Sequence, residues 1–176
     1  MNRYHRWVLL GVITAGIGLW PAADVFAAED RDACTMLQKA DVEAAFSPRK
    51  FDSGKPGLTI KGSKSMAAVS SCTYTSRGAT VKEMVTVTLN VRRAPNDATG
   101  TSPEAAKAGA VQLNAKPVAV TGLGEGAYMA NLGSSIQLNV FRGKREWLIF
   151  GGRAKMLDNA AVLAGITKIA KATVAR

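Results

Sequence analysis

The chain has 176 residues, with 23 Lys+Arg against 13 Asp+Glu for a net charge of +10, two cysteines and one histidine. That length fits a single domain, which can bury about 70% of its unfolded surface without a dense disulfide framework. The lone histidine, His5, falls in a segment expected to be removed, which excludes a Ser-His-Asp triad, a Cys-His dyad and histidine-based zinc or copper sites from what remains.

Arg3 and Arg6 make a short basic lead-in, and residues 8–20 follow as an apolar stretch without charge. This stretch is shorter than the roughly 20 residues that span a bilayer. Val25-Phe26-Ala27 then offers small residues where a signal peptidase reads them. Residues 1–27 are therefore expected to be a signal peptide cleaved after Ala27, with residues 28–176 working in the periplasm. Cleavage takes Arg3, Arg6 and Asp24 and leaves a net charge of +9. Cys34 follows Arg31-Asp32-Ala33 rather than an apolar run, so it is not expected to carry a lipid. The product is expected to be soluble and not membrane-spanning.

Residues 34–47 read as one helix, with Thr35-x-x-Gln38 as a capping box and Pro48 as its stop. Residues 48–66, rich in Pro, Gly and Lys, read as a mobile basic loop with a short strand at residues 58–60. Strands are expected at 68–76, with Cys72 and Tyr74 on one face, and at 82–92. In the latter Val85, Val87, Leu89 and Val91 alternate with Thr86, Thr88, Asn90 and Arg92. After a loop at 96–100, Ser102-Pro103-Glu104 opens a helix running to about Ala115. Residues 117–121 and 126–130 look extended, and 134–142 with 145–151 form a hairpin turning near Gly143. Trp147-Leu148-Ile149-Phe150 is apolar on both faces and belongs at the centre of the sheet. Asp158 caps a last helix over 159–174, where Val162, Ile166, Ile169 and Thr173 recur at helical spacing. Leu89-Asn90-Val91 echoes Leu138-Asn139-Val140, as two copies of a strand–strand–helix unit would. The pattern gives an α+β fold: one antiparallel sheet of five to six strands, covered by N-terminal, middle and C-terminal helices.

The candidate sites are few. Cys34 and Cys72 lack the tight Cys-x-x-Cys spacing of a redox pair, and two ligands do not close a metal site. A structural disulfide remains, with an expected gain of roughly 3–4 kcal/mol. Gly122-Leu123-Gly124-Glu125-Gly126 is not a dinucleotide fingerprint and precedes a strand, so it reads as a glycine turn. Glu125 at its tip is the candidate acid if the chain is an enzyme, with Glu146 and Asp158 as possible companions. Arg142, Lys144 and Arg145 share one hairpin tip, and Arg92 and Arg93 end another strand. With Lys55, Lys61 and Lys64 of the basic loop they form a candidate anion- or partner-binding surface. The competing role for such charges is to keep a sheet edge solvated. The dispersed methionines make no copper motif, and no cofactor or metal is implied. Nucleic acid is disfavoured because aromatics are scarce and Trp147 lies in a core-like strand.

Cys34-x-x-Leu37 with Asp41-Val42, Cys72-x-Tyr74, the run from Gly122 to Tyr128 and a closing Ala-rich helix occur in a definite order. In this the chain resembles, over roughly residues 34–174, a family of small exported bacterial envelope proteins and lipoproteins of unknown function. Those are similar in turn to the PsbP-like αβα sandwich. The resemblance implies a disulfide-stapled α+β fold in the envelope and no catalytic residues. The chain departs by lacking a lipid-anchor cysteine and by Gly126, where an acidic or polar residue is common.

The expected function is that of a non-catalytic periplasmic binding or accessory protein engaging an envelope protein or an anionic envelope polymer. Its alternatives are a carrier of a small or apolar ligand, with Phe141, Trp147 and Phe150 lining a cavity, and a carboxylate hydrolase.

Overall fold

The computed structural model describes residues 32–78, 84–94, 102–152 and 159–176. The expected signal segment, the loop at 96–100 and the Asp158 cap lie outside the described residues, as does the side chain of Phe150.

The first helical stretch is two helices rather than one: α1, Ala33–Met36, and α2, Lys39–Ala45. Leu37 and Gln38 between them are both extended. The expected Thr35 capping box does not form. Asp32 caps α1 by accepting from the Cys34 N–H, while Gln38 and Asp41 cap α2 reciprocally. Each helix therefore has its own N-terminal acceptor, and the chain turns between them to bury Leu37 and Val42 completely.

Among the described residues seven strands follow, not five to six: β1 Lys55–Ile60, β2 Ala68–Thr75, β3 Thr86–Arg93, β4 Val118–Ala119, β5 Tyr128–Asn131, β6 Ser135–Arg142 and β7 Arg145–Gly152. Helix α3, Pro103–Gln112, lies between β3 and β4, and α4, Asn159–Val174, closes the chain. The extra strand comes from the Pro- and Gly-rich segment expected as a loop. Its burial pattern is exposed at nearly every position, so no alternation marks it. An edge strand pairs on one side only and tolerates Pro56, which sits opposite Cys72. The same segment is anchored upstream by Phe51, 1% exposed and bridged to Ser76.

The strand order is β1-β2-β3-β7-β6-β5-β4, every pair antiparallel. The sheet is thus two meanders joined along β3 and β7, and β7 holds the central place its apolar sequence requires. The two echoing strands, β3 and β6, flank β7 in the same register. Leu89 and Leu138 both pair with Ile149, Asn90 and Asn139 with Leu148, and Val91 and Val140 with Trp147.

Alternation assigns Val87, Leu89, Val91, Ile136, Leu138, Val140, Trp147 and Ile149 to one face, where they join α1, α2 and α4 in the main core. Helix α4 sits close on this face. A Cβ on Gly151 of β7 would lie 2.7 Å from Val162, and one on Gly165 of α4 would lie 2.5 Å from the Phe46 ring. The opposite face carries a smaller core in which α3 covers Tyr128, Ala130 and Phe141 through Ala106 and Ala110. Ser102 caps α3 by accepting from the Ala105 N–H, with Pro103 in its first turn.

The Cys34–Cys72 disulfide is formed and ties α1 to β2. Beside it the buried Tyr74 hydroxyl donates to the Leu37 carbonyl. At the far end of the chain, Arg176 donates to the Asp41 carboxylate at 2.6 and 3.0 Å and to the Met36 carbonyl at 2.8 Å. The helical layer is thereby fastened at both its covalent and its ionic ends.

Candidate basic cleft at the end of the sheet

Strands β3, β7 and β6 end together. At that end Arg93 pairs with Arg145, and Arg145 with Arg142, so three arginines stand in one row across the sheet. Neighbouring strands lie about 4.8 Å apart, which confines the three backbones to roughly 10 Å. Each arginine has the same parity as the core residue two positions away on its own strand: Val91, Val140 and Trp147. The row therefore sits on the face that α4 covers. The two-residue turn between β6 and β7 brings Lys144 to the same place, with Gly143 at φ 55° in the first central position that such hairpins reserve for glycine.

Above the row lies the C-terminal end of α4. Between them is a cavity of about 480 Å³ lined by Arg93, Arg142, Lys144, Arg145 and Trp147, with Val174 to Arg176 as its roof. A second cavity of about 320 Å³ shares Arg142, Val174 and Ala175 with the first and extends to Lys171 and the turn at Gly122, Leu123 and Gly124. A third, of about 240 Å³, shares Arg93 and Arg145 and runs towards Met36, Ile60 and Lys61. The α4 C-terminus carries the negative end of the helix dipole, which offsets part of the repulsion among the cations beneath it.

The cations differ in what they already hold. Arg176 is committed to Asp41, whose carboxyl it keeps below the ordinary aspartate value. No hydrogen bond or ion pair to a described residue holds Arg142 or Lys171, and both are exposed. Trp147 is 2% exposed, and among the described residues its indole Nε1 has no hydrogen-bond partner.

Of the residues singled out from the sequence, Arg93, Arg142, Lys144 and Arg145 meet in one cleft, and Lys61 lines the adjoining cavity. Arg92 does not join them. It has the opposite parity and lies 4.0 Å from Glu146 on the other face. Lys55 is several residues along the edge strand, opposite Thr73, and Lys64 lies in the turn bridged by Ser63 and Met66; neither lines these cavities. Glu125 is exposed, its backbone N–H donating to the Phe141 carbonyl at 3.0 Å. Glu146 is 8% exposed, and burial pushes its carboxyl above the ordinary value against the opposing pull of Arg92. The same burial, with Glu146 nearby, raises the Tyr128 hydroxyl to about 12. Phe141 and Trp147 fall on opposite faces, so they do not line a common cavity.

Sequence reasoning missed Lys171 and the Gly122–Gly124 backbone as parts of this cleft. Lys171 sits 29 positions beyond Arg142, and only the packing of α4 brings the two together. The parity of Arg142 and Arg145 about a two-residue turn was a usable signal. So was the echo, which sets Arg93 rather than Arg92 beside them.

Among the described residues, no acid, thiol or hydroxyl side chain lines the two basic cavities. None of these residues forms a group of three or more His, Cys, Asp or Glu able to hold a metal ion. The arrangement is suited to holding an anion. Fold and cleft together define an α+β protein with helices on both faces of a seven-stranded sheet and a basic cavity at one end of it. Compared with known proteins, the chain matches no family model, no curated protein and no solved structure.

Proposed function

We propose that this chain is an exported, non-catalytic binding protein of the bacterial periplasm, released by cleavage after Ala27, which engages an acidic envelope partner through the cleft at the end of its sheet. The observation that carries this reading is the row Arg93–Arg145–Arg142 on the α4-facing side, joined by Lys144 and Lys171 around connected cavities. Converging cations raise the local potential far more than the same charges dispersed. The Cys34–Cys72 disulfide is in keeping with an oxidising compartment, and no described helix is long and apolar enough to cross a membrane. We also propose kinship with the exported envelope family whose motifs the sequence resembles.

A cross-linked pull-down from the native envelope at low and high salt tests the reading. A partner retained at high salt by the wild-type protein, and lost when Arg142, Lys144 and Arg145 are all replaced by Gln, supports it. Equal capture by both proteins rejects the cleft. A second reading, a carrier of a small ligand, draws on the third cavity with Met36, Ile60, Ala68 and Val91 among its walls. At about 240 Å³ that space is below the usual 300–1,000 Å³ of small-molecule sites, which places this reading second.

A further inference from the structure

We infer that the turn at Gly122–Gly124, Arg142 and Lys171 form a seat for the phosphoryl group of an anionic ligand. This deepens the anion-binding reading above and rests on it. The seat is the cavity of about 320 Å³ that these residues line with the end of α4. Its donors are uncommitted: within the described residues, nothing accepts from the side chains of Arg142 or Lys171, or from the backbone N–H groups of Gly122, Leu123 and Gly124.

The turn is built for that role. Gly122 has φ 78° and Gly124 has φ 111°, while Leu123 between them is not in the positive region. Successive backbone N–H groups in a turn of this kind can make a nest for an anion. Glycine is required at 124 for a second reason, since a Cβ there would lie 2.6 Å from the Phe141 carbonyl oxygen. That contact also sets the turn directly against the end of β6, beside Arg142. Leu123, 3% exposed, anchors it in the main core.

Residues with three kinds of donor thus line one cavity: the backbone of the turn, a guanidinium fork and an ammonium. A tetrahedral oxyanion presents oxygens in several directions, whereas a planar carboxylate presents two in one plane. Arginine pairs bidentately with phosphate, and lysine adds a point charge. The adjoining larger cavity, with Arg93 and Arg145, leaves room for whatever the phosphoryl group is attached to. The phosphoryl group can be borne by a lipid head or envelope polymer, or by a small soluble molecule.

The exported protein, purified in phosphate-free buffer at low salt, is titrated with inorganic phosphate and with glycerol phosphate by calorimetry. Fluorescence of Trp147, the only tryptophan after residue 27, gives a second readout. Saturable binding is expected, weakened roughly tenfold or more in Arg142→Gln and in Lys171→Gln. Lys168→Gln removes the same charge from an exposed site on the same helix outside the cavity, and is expected to leave binding nearly unchanged. Co-sedimentation with phosphatidylglycerol vesicles, against phosphatidylcholine alone, assigns a membrane source. Binding of glycerol phosphate without vesicle binding assigns a soluble one, and either supports the seat.

No saturable binding, or equal weakening by Lys168→Gln, overturns it. The seat and the broader reading fail separately. An envelope partner retained at high salt, with no saturable phosphate binding, sinks the seat alone. Phosphate binding that depends on both residues, with no partner captured, keeps the seat and sinks the periplasmic-partner reading.

Discussion

Two glycines on helices show how much a single Cβ depends on its surroundings. Gly109 of α3 has nothing within 4 Å of where a Cβ would stand, so Gly109→Ala is expected to stabilise by about 0.5–1 kcal/mol through helix propensity. Gly165 of α4 faces the Phe46 ring at 2.5 Å, and Gly165→Ala is expected to destabilise by about 1–3 kcal/mol although its propensity gain is the same. Urea denaturation of the pair checks both signs. Glu146 makes a third case. Its carboxyl is raised by burial, so the native state binds this proton more tightly than the unfolded chain does. Its contribution is therefore most favourable below the ordinary glutamate value, and stability falls as pH rises from there through the raised native value. Glu146→Gln is expected to raise the Tm at pH 7, with the difference vanishing near pH 4. An unchanged Tm difference across that range would contradict the assignment.

At the scale of elements, strand β3 and helix α4 were legible because one face of each is buried and the apolar period shows, and β7 because its Trp147-Leu148-Ile149 run is apolar on both faces. Val85 to Val91 alternate cleanly, and Val162 to Thr173 recur at helical spacing. Strand β1 was legible only as a fragment, since its exposed residues carry no period and its Pro and Gly mimic a loop. The break between α1 and α2 was hidden for a different reason. Asp32 and the Gln38–Asp41 pair cap two short helices, and Thr35 only looked like a cap because its spacing to Gln38 fits one. The element junctions carry two further predictions. Replacing both Cys34 and Cys72 with Ala, which removes a crosslink of sequence separation 38, is expected to cost about 4 kcal/mol, read by chemical denaturation. Arg176→Ala is expected to cost about 1 kcal/mol, discounted because the arginine side chain is one-third exposed. Asp41 has a lowered native value, so this ion pair stabilises above the ordinary aspartate value and fades as pH falls through the lowered one. The stability gap between wild type and Arg176→Ala should close over that same acidic window.

On the scale of the whole molecule, the candidate cleft was legible as a set of residues but not as a place. Charge clustering picked out Arg93, Arg142, Lys144 and Arg145, and a one-residue change of parity removed Arg92 from the group. Lys171 could not be found from the sequence, because helical surface lysines look alike until a helix is docked. The position of the cleft has a consequence for how the molecule is made. Strands within each meander neighbour one another along the chain, whereas Leu89 meets Ile149 sixty residues away. Pairings this distant close late in folding, because loop-closure entropy opposes them until local structure is in place. Arg93 comes from one meander and Arg142 and Arg145 from the other, so the complete row exists only once that seam has closed. A ligand bound there selects the finished molecule over every partly assembled one, and by mass action it holds the seam shut.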